Sequence, residues 1–169
     1  SEGGHCDFAP RNELDTELYL YLKREFGHVS WERVISGPGI CNIFNFLVGI
    51  KNRKAPRWFN GGYLSAEQAA LVSDNAVSDA TCRETIDLFM QYLAYESSNL
   101  VLKLKATGGL FIAGGIMPKL LHLVQPAVFR EKFCDSGRMQ KLLIDVSLRI
   151  LLNDETALLG AAYYGAHAG

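Results

Sequence analysis

Gly109-Leu110-Phe111-Ile112-Ala113-Gly114-Gly115-Ile116-Met117-Pro118 is the stretch on which the fold class turns. The continuous apolar run Leu110–Ala113, bounded by glycines, reads as a strand covered on both faces. Gly114 and Gly115 follow at its carboxyl end, and Pro118 falls early in a new helix. Glycines there let a flat base or a ribose lie against bare backbone, although a lone pair is in most proteins a tight strand–helix junction. The pattern is not G-x-G-x-x-G, so hydride chemistry has no support. Residues 119–134 read as helical with a break near Pro126, and Ser147 to Leu152 gives a last strand. Strands alternating with helices, one of them wholly apolar, indicate an α/β domain, a sheet flanked by helices.

The flanking segments follow the same alternation. A terminal helix runs from about Glu155 to Ala166, with Asn153 or Asp154 as its N-cap. Upstream, Ser78 opens a long helix to near Lys105 with Cys82, Ile86, Phe89, Met90, Leu93 and Leu100 down one side, a candidate central helix against the sheet. Ser65-Ala66-Glu67-Gln68 fits a capping box before a short helix to about Ser73. Ile40, Ile43, Phe44, Leu47 and Val48 form the apolar stripe of another helix. Val29 to Ile35 reads as a strand ending in the turn Ser36-Gly37-Pro38-Gly39. That turn could offer N–H groups to a nucleotide phosphate, although it is not a G-x-x-x-x-G-K-[ST] loop. The first helix spans about Glu13 to Phe26, with Leu14, Leu18, Tyr21 and Leu22 on one face and Gly27 to stop it.

At 169 residues, 49% hydrophobic and 21% charged, the chain can bury a sizeable core and reads as one globular domain, with no linker or repeat inside it. A net charge of −1 offers no field for a polyanion, which argues against nucleic acid. Lys51, Arg53, Lys54 and Arg57 alternate with Pro56, Trp58 and Phe59, but over too short a stretch to outweigh that balance, so Lys51 to Gly62 reads as a surface loop. Cys6, Cys41, Cys82 and Cys134 share no short spacing, which argues against structural zinc and for a reducing compartment. Cys41 and Cys82 lie on apolar helix faces and read as buried thiols. No apolar run approaches the roughly 18–20 residues of a membrane span.

Chemistry concentrates at Glu2-Gly3-Gly4-His5 and Glu32. Two glycines between an acid and an imidazole let the chain bend sharply and approach a ligand closely. Two carboxylates and a neutral imidazole present acceptors and a donor in a fixed arrangement, which suits a polyhydroxylated ligand such as a sugar. A metal is the competing idea, but cations usually want more ligands than these three.

Ser1-Glu2-Gly3-Gly4-His5-Cys6-Asp7-Phe8-Ala9-Pro10 resembles the glucose-binding loop of the bacterial-type glucokinases. The resemblance continues through Val29-Ser30-Trp31-Glu32-Arg33-Val34-Ile35-Ser36-Gly37-Pro38-Gly39 and returns at Gly108 to Pro118. It closes at Asn153-Asp154-Glu155-Thr156-Ala157-Leu158-Leu159-Gly160. Four motifs in order over nearly the whole chain are far more specific than any one of them.

The resemblance implies the large domain of the actin-like ATPase and hexokinase-type fold, a mixed sheet flanked by helices. Residues 1–169 would be its C-terminal part. It implies ATP-dependent phosphorylation of glucose at the 6-hydroxyl, with Mg2+ as cofactor, in a cytoplasmic homodimer, although a targeting segment on a missing N-terminus remains open. Glu2, His5 and Glu32 would hold glucose; Gly114 and Gly115 would abut the adenosine, with Gly37 nearby. The family's phosphate-binding loop, Asp-x-Gly-Gly-Thr, is not among these residues. The catalytic base is expected in the missing N-terminal lobe, so no catalytic residue and no metal ligand is assigned here, and the chain alone is expected to be inactive. The other reading is a non-catalytic sugar-binding or regulatory module derived from such a kinase. A sugar kinase of the repressor–kinase group is a third, but its Cys-rich zinc motif is missing from this sequence. Cys6 replaces a usually aliphatic residue, while Trp31 and the loop at 51–62 depart from the family and put the oligomer contacts in question.

Overall fold

Asn12 starts the first helix by accepting the Asp15 N–H on its side-chain oxygen at 2.9 Å. Helix α1 (Glu13–Phe26) then runs to Gly27, whose φ of +72° lies in the region that favours glycine. These are the bounds the sequence predicts, and Leu18 and Leu22 are fully buried. The structure is a computed structural model that describes residues 2–62, 64–153 and 155–167. The chain falls into two compact units, Ser1–Leu93 and Ala94–Gly169.

In the first unit the strand expected over Val29 to Ile35 does not form. Ser30 makes one antiparallel bridge with Asp7, and Trp31–Arg33 then coils into a single 3-10 turn. The reason lies in where its hydrogen bonds go. The Val34 and Ile35 N–H groups both return to the Trp31 carbonyl, at 3.0 and 2.8 Å. The Glu32 and Arg33 carbonyls are taken by Ser36 Oγ (2.6 Å) and Asn42 Nδ2 (2.9 Å). With its polar backbone satisfied locally, the segment has no need of a ladder.

Ser36 also caps α2 (Gly37–Gly49) by accepting the Gly39 N–H at 3.0 Å, with Pro38 in the first turn. Ile40, Ile43, Phe44, Phe46 and Leu47 are buried, as the apolar stripe requires. Asn45 is buried among them and is satisfied by exchanging two bonds with Leu64, N–H to Oδ1 at 2.9 Å and Nδ2 to carbonyl at 3.3 Å. The basic loop after α2 is used internally. Lys51 meets Glu17 at 2.8 Å, Arg53 grips Glu84 through two bonds, and Trp58 and Phe59 pack on the Phe44 ring.

Helix α3 (Ala69–Asn75) follows a 3-10 turn at Ala66–Gln68. Half of the expected capping box forms: Gln68 Oε1 accepts the Ser65 N–H at 2.9 Å, but the Gln68 N–H bonds the Ser65 carbonyl rather than its hydroxyl. Helix α4 (Ala80–Leu104) is capped by Asp79, not Ser78, because Asp79 Oδ1 accepts both the Thr81 and Cys82 N–H groups at 2.9 Å.

In the second unit, the carboxyl-terminal part of α4 contributes Ala94 and Val101 to a core with Phe133, Cys134, Leu143 and Val146, on which Leu110 and Leu148 also pack. Those last two belong to β1 (Leu110–Ile112) and β2 (Leu148–Ile150), paired in parallel with Leu110 opposite Leu148 and Ile112 opposite Ile150. Between them lie α5 (Ile116–Leu120), α6 (Pro126–Cys134) and α7 (Gln140–Leu143). Arg130 of α6 donates to the carbonyls of Leu143, Ile144 and Val146, tying α6 to the chain that enters β2. The apolar run in β1 is not covered on both faces. Phe111 is exposed, with the Arg149 guanidinium 5.5 Å from its ring centre. Leu100, expected on the buried side of α4, is exposed as well. Asn153 caps the start of α8 (Thr156–His167) by accepting the Glu155 N–H at 2.9 Å, while Asp154 lies outside the described residues. Within the described residues, no helix is long and apolar enough to cross a membrane.

Gly39 is the tightest of the described glycines in the first unit. A Cβ there would sit 2.6 Å from the Val34 carbonyl carbon and 2.7 Å from its oxygen, whereas one at Gly37 meets nothing within 4 Å. Gly39→Ala is therefore expected to lose about 1–3 kcal/mol or more, as an over-packed site does. Gly37→Ala should stay close to the parent. Urea denaturation of both variants, monitored by Trp fluorescence, measures the difference.

Candidate functional site

Gly3–His5 forms a 3-10 turn closed by the His5 N–H to the Glu2 carbonyl at 3.0 Å, so Glu2 and His5 are the two ends of one bend. Two backbone bonds, which together make one antiparallel bridge, pin the adjoining residues 6–8 to the segment carrying Glu32. The Trp31 N–H reaches the Cys6 carbonyl at 2.9 Å, the Phe8 N–H reaches the Val29 carbonyl at 2.9 Å, and Asp7 pairs with Ser30. This pairing brings His5 Nε2 to 3.7 Å from Glu32 Oε2. Both side chains stay about 60% open, at 63% and 59%, so a ligand can reach them. Gly4 passes directly over Glu32, and a Cβ there would lie 3.7 Å from the Glu32 Cβ.

Beneath the acid and imidazole the base is aromatic. Phe8 meets Trp31 edge-on at 5.1 Å and Tyr92 edge-on at 5.3 Å, and all three are buried. Tyr92 donates to Asp15 Oδ1 at 3.0 Å, while Asp15 Oδ2 accepts the Arg11 N–H at 3.0 Å. Trp31 thus belongs to the floor under Glu32 rather than to an outward contact. The Asp15–Tyr92 bond is missed in a sequence reading; its one signal is a carboxylate next to the apolar stripe of α1, on the side of Leu18 and Leu22.

The glycines assigned to a nucleotide lie in different settings. Gly37 opens α2 in the first unit. In the second unit Gly114 follows β1 with φ at +113° and Gly115 leads into α5. An added Cβ at Gly37, Gly114 or Gly115 would meet no atom within 4 Å, so their backbone is bare. Within the described residues, no group of three His, Cys, Asp or Glu side chains is placed to hold a metal ion.

The glucokinase family model matches residues 1–168. The chain belongs to the glucokinase family. It is 40% identical to the glucokinase of Trichormus variabilis and 36% identical to that of Shigella dysenteriae, in each case over 98% of this chain. It spans about half the length of these relatives, 53% and 49%. The crystal structure of a glucokinase from an Antarctic psychrotroph superposes with a TM-score of 0.81 at 33% identity, over 96% of this chain and 48% of that one. A glucokinase from Balamuthia mandrillaris, solved in complex with glucose, shares the fold at a TM-score of 0.74 and 18% identity, over 89% of this chain and 42% of that one. The fold is therefore the α/β architecture of the glucokinases, the actin-like, hexokinase-type class the sequence pointed to.

Cys6 stands exposed beside His5, and the other three thiols are buried. Burial pushes the Cys41 thiol up to about 11, and burial with the nearby Asp79 carboxylate pushes Cys82 up to about 12. The fold thus favours the neutral thiols. Their contribution to stability is complete below pH 9.0 and is lost as pH rises toward those values. At pH 8 a thiol reagent such as DTNB is expected to modify Cys6 rapidly and the other three only after denaturation. Peptide mapping of the labelled chain checks this.

Proposed function

We propose that a protein of the relatives' length containing this chain transfers the γ-phosphoryl group of ATP to the 6-hydroxyl of glucose, with this chain supplying the sugar-contact and adenosine-contact half. The observation that carries the reading is the approach of His5 and Glu32 at 3.7 Å over a buried aromatic floor, in a chain of this family. Glu2, His5 and Glu32 accept from and donate to sugar hydroxyls, and none of them is the general base. Their work is orientation: a sugar held at several hydroxyls presents the remaining one in line with the phosphoryl group.

ATP with Mg2+ supplies the phosphoryl group and offsets its charge. Gly114 and Gly115 suit the adenosine because no side chain stands between that backbone and a flat ring. Gly37, at the start of a 13-residue helix, is the weaker nucleotide contact. The proton acceptor for the 6-hydroxyl is proposed to belong to the part of the relatives' length that this chain does not span, and the chain by itself is proposed to be inactive. The whole protein is proposed to work as a cytoplasmic homodimer.

Glu2→Ala in that protein leaves buried sugar hydroxyls unpaired, at about 1–3 kcal/mol. The glucose KM is expected to rise about tenfold or more, the equivalent of ~1.4 kcal/mol. A steady-state assay over a glucose series reads it, and an unchanged KM removes Glu2 from the site.

A further inference from the structure

The Asp7–His28 pair has no part in the proposed sugar site. His28 Nε2 lies 2.7 Å from Asp7 Oδ1, with 57% of the imidazole and 88% of the carboxylate side chain exposed. Asp7 belongs to the same short segment as His5, and His28 to the segment that leads to Glu32. The bridge of Asp7 to Ser30 sets the register, and two residues outward that register puts His5 opposite Glu32. Each segment therefore contributes one acid and one imidazole, and the two acid–imidazole pairs lie at opposite ends of one short pairing. The intervening Phe8, Val29 and Trp31 are buried on the other side.

The pairing itself is minimal. Its one bridge consists of two backbone bonds, and although the buried Phe8, Val29 and Trp31 fix the register, a ladder this short is weakly defended against fraying at its exposed ends. Fraying would carry His5 away from Glu32, and the side-chain bond of His28 to Asp7 resists that motion. We propose that Asp7 and His28 are positioning residues, a clasp that holds the sugar-contacting bend against the Glu32 turn. The clasp rests on the proposed role of Glu2, His5 and Glu32 in holding the sugar.

Lys23 and Tyr19 of α1 line the same open hollow of about 540 Å³ as Asp7 and His28, and the Lys23 ammonium lies over the Tyr19 ring at 5.5 Å. An exposed pair adds little to global stability, so its effect should appear in the site rather than in the melting curve.

The test is a glucose KM and kcat series in the relatives'-length protein, with Asp7→Ala, His28→Ala, the double variant, His28→Gln and Glu32→Gln. Each single alanine variant is expected to raise KM about two- to fivefold, the reach of one exposed ion pair, with kcat and Tm near the parent. The double variant should be no worse than either single, because one contact is lost in all three. His28→Gln keeps an amide donor for Asp7 and should recover most of the parental KM. Additive effects in the double variant, or parental KM in both singles while Glu32→Gln raises it, overturn the clasp alone. A Glu32→Gln variant with parental KM overturns the sugar-site reading, and the clasp with it.

Discussion

The backbone pairing of residues 6–8 with 29–31 is the constraint on which the site depends. Neither the glycine bend nor the Glu32 turn is long enough to be stable alone, since each is a single turn of 3-10 helix. They are held because Phe8, Val29 and Trp31 between them are buried, and Tyr92 closes the cluster from α4. Burial of two large aromatic side chains and a valine stabilises by several kcal/mol, far more than the exposed acid–imidazole contacts over them. The polar groups that could meet a ligand are thus carried on an apolar anchor.

Internal matching of polar groups runs through the rest of the first unit. Asp15, fully buried, is bonded by Tyr92 and by the Arg11 N–H, and Asn45 by both polar groups of Leu64. Such contacts tie helices and connecting segments to one another. Among the described residues, Trp58 Nε1 is the buried side-chain polar atom left without a partner. The cationic loop after α2 behaves alike. Its Lys51 and Arg53 are matched to Glu17 and Glu84, and its aromatics lie on Phe44. Two of the four cations in a composition that could be read as a nucleic-acid surface are thus matched within the chain.

Helices were readable where a cap and an apolar stripe agreed. Leu18, Leu22 and Gly27 give α1, whose cap in the structure is Asn12, and the stripe through Ile43 and Leu47 gives α2. Reading failed where side chains outside a segment capture its backbone groups. Val29–Ile35 has strand-like composition, but Ser36 and Asn42 take its carbonyls and turn it into a coil. At 78–79 two adjacent capping residues compete, and the carboxylate, able to accept two N–H groups at once, prevails over the hydroxyl. Phe111 shows the limit of composition: four apolar residues in a row state that a strand is apolar, not that both of its faces meet a neighbour. Of the candidate site, the approach of His5 to Glu32 was legible through the glycine bend and the family resemblance. Its support was not, because Tyr92 lies far beyond Phe8 and Trp31 in the chain and nothing in local spacing joins them.

Gly39 lets the first turn of α2 rest on the Val34 backbone, while Ser36 bonds the Glu32 carbonyl on one side and the Gly39 N–H on the other. The glutamate turn and the helix are thereby fused into one rigid body. Any rotation of α2 carries the carboxylate with it, as a lever carries its tip. The Glu32 carboxylate that faces His5 therefore inherits the stiffness of a whole helix.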